Sequence, residues 1–138
     1  MRIAILVSLA AVASFCATQG QAASSPFDGA WITTVTCPNG EGALGYSFDV
    51  PTQVKNGVLH GERMSPGQPG YLVIDGPIAP DGGAKLYAKG LVGASEVAIG
   101  HAPVGTDYGY DVNAHFSGGQ GSGTRVEGRP CTLAFERR

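Results

Sequence analysis

Charge is scarce in this 138-residue chain: Asp, Glu, Lys and Arg together make up 14%, against roughly a quarter in an ordinary globular protein. The formal net charge is −2 at pH 7. So mild an acidic balance gives no electrostatic reason to bind nucleic acid or anionic lipid. Helical periodicity is also lacking. No long window places apolar residues at i, i+3, i+4 and i+7, and glycine interrupts almost every candidate. No segment beyond the N-terminal stretch is apolar enough to span a membrane. There are three cysteines, and no histidine pairs with one at metal spacing or forms His-x-x-x-His, so the common metal motifs are missing.

What is present begins with an export signal. Met1-Arg2 is a short basic start, and Ile3 to Ala17 is apolar or small throughout. Gly20-Gln21-Ala22 offers small residues at the positions a signal peptidase reads. Cleavage is expected after Ala22, with Ala23 as a nearby alternative. Cys16 resembles a lipoprotein acceptor, but Phe15 stands where that site wants a small residue, so simple secretion is favoured. Residues 23–138 are then one domain, periplasmic or secreted, and loss of Arg2 makes the net charge one unit more negative.

Strand signals fill that mature part. Phe27 to Cys37 reads as a first strand, with Trp31, Thr33 and Val35 alternating against Ile32, Thr34 and Thr36. Cys37-Pro38-Asn39-Gly40 ends it with turn chemistry. Leu44, Tyr46, Phe48 and Val50 alternate next. Pro51 is expected to bulge or end that strand, which resumes through Gln53 to Lys55. Asn56-Gly57 is a two-residue hairpin turn, followed by Val58 to Glu62. Residues 65–70 form a loop. Tyr71 to Ala79 is a strand with Leu72, Ile74 and Ile78 on one face. Pro80-Asp81-Gly82-Gly83 turns the chain back, and Ala84, Leu86 and Ala88 face inward. Leu91 to Thr106 has no period and is expected to be an irregular connection with a short helical turn. Tyr108, Tyr110, Val112, Ala114 and Phe116 make the longest clean alternation. Ser122 to Glu127 returns, and Cys131 to Phe135 is the last strand.

Eight strands joined mostly by short turns favour a meander. Closing it removes both exposed edges. The expected fold is an all-β, antiparallel, eight-stranded up-and-down barrel. The end of its first strand then meets the start of its eighth, where Cys37 and Cys131 sit. A Cys37–Cys131 disulfide should close it, in an oxidising compartment.

At Gly29-Ala30-Trp31 the chain resembles the lipocalin and avidin superfamily of barrels, where a Gly-x-Trp near the N-terminus lays the indole across the closed end. The small periplasmic protease inhibitors of Gram-negative bacteria share that architecture. The chain also resembles a family of short exported Gram-negative bacterial proteins without assigned activity. That likeness runs through Phe27-Asp28-Gly29-x-Trp31, Gly42-Ala43-Leu44-Gly45-Tyr46, Val54-Lys55-Asn56-Gly57-x-Leu59-x-Gly61, and Gly123-Thr124-Arg125-Val126-Glu127 with Arg129-Pro130-Cys131. It implies export and a shared plan.

Catalytic signals are sparse. There is no Gly-x-Ser-x-Gly elbow. The glycine-rich run from Gly118 to Thr124 lacks the lysine of a phosphate loop and leads into a strand. Asp49, Asp75, Asp107 and Asp111 are the carboxylates that could pair for acid–base work. The expected protein is therefore not an enzyme and uses no cofactor. His60 and His115 fall on the outward phase of their strands. Arg125 shares a face with Gly121 and Gly123, where small residues leave room. Two readings stand for it: a structural ion pair or an outward-facing pair, or a side chain that points inward to meet an acid across the sheet or a ligand. The long connection holds His101 and runs into Tyr108 and Tyr110. Any ligand is expected to contact His101, Tyr108, Tyr110 and Arg125 at the open end. The first expectation is an exported barrel that binds a small molecule or an extracytoplasmic protein, a protease inhibitor being one version. The alternative is an envelope-associated interaction protein without a cavity.

Overall fold

Alternation and turn chemistry carry through into one closed sheet. The computed structural model describes residues 24–138; the expected export signal over 1–22 lies outside the described residues. The strands are β1 (Gly29–Cys37), β2 (Tyr46–Lys55), β3 (Val58–Arg63), β4 (Leu72–Pro77), β5 (Gly83–Leu91), β6 (Asp107–Ser117), β7 (Gln120–Arg125) and β8 (Thr132–Arg137). Each pairs antiparallel with the next, and β8 returns to β1, closing the barrel. Thr36 lies opposite Thr132 in that last pairing. Cys37 and Cys131 follow on directly and are disulfide-bonded, their Cα atoms 4.2 Å apart.

Inward positions are filled as period-2 strands require. Val35, Val50, Val54, Leu59, Leu72, Ile74, Leu86, Ala88, Val112, Phe116, Leu133 and Phe135 are all buried. Two polar groups share the core, and they satisfy each other: the Thr33 and Thr52 hydroxyls are 2.7 Å apart, and Thr52 also donates to the Val50 carbonyl. The outward phase carries Asp49, His60, Asp75, Lys85, Lys89, Asp111 and His115, all exposed.

Several strand ends differ from the sequence expectation. Phe27 precedes β1 rather than opening it, and is buried against Phe116 at 5.8 Å between ring centroids. Pro51 stays within β2, opposite Ile32. β3 pairs with β2 only from Thr52 onward, so a missing N–H at Pro51 costs no bond on that side. β7 ends at Arg125 rather than Glu127, where its amide bonds the Cys131 carbonyl and the next amide, of Val126, bonds the Asp111 carbonyl.

The two ends of the barrel are unlike. Successive connections of a meander alternate between ends, and here the tight ones all fall at one. Asn56-Gly57 has φ of 51° and 74°, both in the left-handed region that a type I′ turn requires. The Asp28 carboxylate accepts from both turn amides, at 3.0 and 2.9 Å. Trp31 lies at this turn end, its indole N–H donating to the Phe27 carbonyl at 2.8 Å. Its ring meets Phe116 edge-on, and Phe116 packs on Phe135. Gly121 makes room here: a Cβ on it would stand 2.8 Å from the Phe116 ring. The long connections 38–45, 64–71, 92–106 and 126–131 all gather at the other, open end.

Candidate functional site

Four aromatic rings line the open end in two stacked pairs. Tyr46 and Phe48 on β2 have centroids 5.4 Å apart and are parallel within 1°. Tyr108 and Tyr110 on β6 are 6.3 Å apart and within 9° of parallel. In a closed eight-strand order, β2 and β6 lie on opposite walls, so the pairs face each other across the opening. The strand next to each wall adds a cation. Arg63, at the end of β3, stands over Phe48 at 4.3 Å, and Arg125, at the end of β7, stands over Tyr110 at 4.6 Å. Both are cation–π distances.

Between these walls is a cavity of about 680 Å³, within the range of small-molecule sites, roughly 300–1,000 Å³. Its far side is the 92–106 connection, which contributes Val92, Ala94, Val97, Ala98, Ile99 and Ala102. This connection roofs the opening without filling it. It contains two single-turn 3₁₀ segments, Ser95–Val97 and Ile99–His101, and its base is closed by Val92–Thr106 and Gly105–Val92 backbone bonds.

Arg129 holds the roof in place. It is 4% exposed. Its guanidinium donates to the carbonyls of Pro38, Leu44 and Val97, joining the 38–45 connection to the roof. The Leu44 amide also donates to the Glu96 carbonyl at 2.8 Å. The Cys37–Cys131 bond fixes the segment from which Arg129 projects, two residues away.

Burial shapes the titration of the rings. It pushes the Tyr108 phenol up to about 12, despite the nearby Arg63 and Arg125 charges that act the other way. Burial raises Tyr110 and Tyr46 as well. All three are neutral phenols at physiological pH. Tyr108 fits because Gly90 lies opposite it: a Cβ there would stand 2.7 Å from the Tyr108 ring and 2.5 Å from the Tyr71 carbonyl.

Of the four residues expected at a ligand site, Tyr108, Tyr110 and Arg125 line the cavity together. His101 does not. Its side chain is exposed outside the lining, and Nε2 donates to the Gly42 carbonyl at 2.8 Å, so it ties the roof to the 38–45 connection. Arg125 points inward but meets no acid among the described residues. Its Nε donates to the backbone carbonyl of Glu127 at 2.7 Å. His60 is exposed on the outer wall between Asp75 and Glu62, and hydrogen bonding to Asp75, then to Glu62, raises its pKa. Among the described residues no group of three or more His, Cys, Asp and Glu could hold a metal.

Tyr46, Phe48, Arg63 and Arg129 were not among the residues expected at the ligand site. A signal for the first two exists: Tyr46-Ser47-Phe48-Asp49-Val50 and Tyr108-Gly109-Tyr110-Asp111-Val112 share the pattern Tyr-x-aromatic-Asp-Val. In both, the aromatic and valine positions face in while the aspartate faces out.

The fold and site define a closed eight-stranded antiparallel barrel with a ring-lined, roofed cavity at one end. No protein-family model, curated protein or solved structure matches this chain.

Proposed function

We propose that this protein is an exported, non-enzymatic barrel that binds a small molecule in its open end. The cavity between the Tyr46–Phe48 and Tyr108–Tyr110 walls carries this reading: it is concave, largely apolar, and edged by a few polar groups held in fixed geometry. Export is supported by the N-terminal signal pattern and by a disulfide that an oxidising compartment would maintain. The polar outer wall suits a barrel surrounded by water, the reverse of the apolar band that faces lipid.

The test is native mass spectrometry of the protein isolated gently from its own host. A small-molecule adduct is expected, and it should be weakened or lost in an Ala98→Trp variant whose indole projects into the cavity. Unliganded wild-type protein that also takes up no apolar dye would overturn the reading.

A second reading has one observation behind it. Leu44, Met64, Ile99, Val104 and Val126 are large, exposed and apolar, and all sit on open-end connections. Such a rim suits docking of another protein, such as an extracytoplasmic protease. Loss of that binding in a Leu44→Ser, Val104→Ser variant with an intact cavity would favour it.

A further inference from the structure

We infer that the ligand is an amphipathic organic anion: an apolar body carrying a carboxylate, sulfonate or phosphate group. This rests on the small-molecule reading above and specifies the chemistry of that site.

The cavity lining contains three guanidiniums, of Arg63, Arg125 and Arg129, and a single carboxylate, Asp107. Asp107 is exposed at the start of β6. Among the described residues the ion pairs within 4 Å involve only His60, so none of the three arginines has an acid partner. A cation withdrawn from water without a counter-charge is costly, and it attracts an anion strongly because screening there is weak.

The three arginines are not equivalent. Arg129 has its N–H groups committed to three backbone carbonyls and is a clamp. Arg125 commits only its Nε, to Glu127 O, and among the described residues neither terminal nitrogen has a hydrogen-bond partner. Arg63 makes one long contact, Nη1 to the Gly70 carbonyl at 3.4 Å. Free planar N–H forks at the edge of an apolar cavity fit the paired oxygens of an acid group. Each fork lies over an aromatic ring that restricts its movement, so little freedom is lost on binding.

The rest of the lining selects the body of the ligand. The two ring pairs give the cavity aromatic walls. The roof adds small apolar side chains from Val92 to Ala102. Tyr46, Tyr108 and Tyr110 remain neutral, so they add no competing negative charge. A cationic amphiphile would face three guanidiniums, and a neutral one would leave the two free forks unsatisfied.

The test uses two fluorescent probes with one skeleton: anilinonaphthalene sulfonate, and N-phenylnaphthylamine, which lacks the sulfonate. The sulfonate should bind the exported protein tighter by about tenfold or more, the gain from charge-assisted hydrogen bonding. Dodecanoate should displace it at about a tenth or less of the concentration that dodecanol needs. Arg63→Met and Arg125→Met, which keep the apolar stem over each ring, should erase the preference, bringing the two probes to equal affinity within each variant. Arg125→Lys should retain part of it. A cooperative melt in each variant confirms folding.

Equal affinity for the two probes would reject the anionic class and leave the cavity as a binding site. Binding of neither probe would overturn the site and this inference together. A sulfonate preference that survives in the Arg63→Met, Arg125→Met double variant would place the anion elsewhere and overturn the assignment.

Discussion

The guanidinium carbon of Arg125 stands 4.6 Å from the centroid of the Tyr110 ring, and no acid pairs with it among the described residues. A buried phenol and a cation thus share one wall of the cavity. Burial dominates the phenol, raising it above its ordinary value of 10.0 although Arg125 pulls the other way.

Alkaline pH should therefore destabilise the barrel through these rings. Tyr108 stays protonated in the fold up to about 12, whereas an unfolded tyrosine ionises near 10. Below about pH 10 both states are protonated and stability is unaffected; from there to about pH 12 the unfolded state gains by losing its proton. Denaturant midpoints measured across that window should fall for wild type and fall less for a Tyr108→Phe, Tyr110→Phe variant. Equal losses in both would place the alkaline effect on other groups.

Removing the Arg129 clamp should cost about 3 kcal/mol, because the Pro38, Leu44 and Val97 carbonyls lose a charged donor. Urea unfolding of Arg129→Met measures it. Hydrogen exchange should also quicken at the Leu44 amide and through 92–106. An unchanged midpoint with unchanged exchange would show that other bonds hold the roof.

The disulfide closes a sequence separation of 94 residues. Chain entropy alone assigns such a closure about 4–5 kcal/mol, an upper figure. Cys37→Ser, Cys131→Ser should lower the unfolding free energy by up to that amount, and by at least about 2 kcal/mol. Non-reducing peptide mapping of wild type should recover the two cysteines in one linked pair; two free thiols would contradict it.

Gly57→Val should lower stability by about 2 kcal/mol, since a β-branched residue resists a φ of 74°. A melting temperature equal to wild type would be the contrary result.

Asp28 gives the same hairpin a pH signature. Backbone hydrogen bonding, from Gly57 first, holds its carboxyl below the ordinary 3.8. Its contribution is complete above that value and is lost as pH falls through the lower, folded-state pKa. Asp28→Asn should remove that part of the acid sensitivity. Identical acid titrations of stability in variant and wild type would assign the sensitivity to another carboxylate.

The sequence by itself determined the strands, their inward faces, the Asn56-Gly57 turn, the closed order and the Cys37–Cys131 pairing. Alternation and turn chemistry act over a few residues, and in a meander each strand's neighbours are its neighbours in sequence, so local signals sum to the whole topology. Tyr108, Tyr110 and Arg125 were legible as lining because the phase of β6 and β7 fixes which side chains point in. Only the tertiary structure decided that Tyr46 and Phe48 face them from the opposite wall, that Arg63 and Arg125 stand over rings without an acid, and that Arg129 is spent on three carbonyls. It also turned His101 outward to Gly42. Those outcomes depend on how irregular connections pack at one end of a closed barrel. There the contacts join residues such as Pro38 and Arg129, 91 positions apart, and no local period records such a distance.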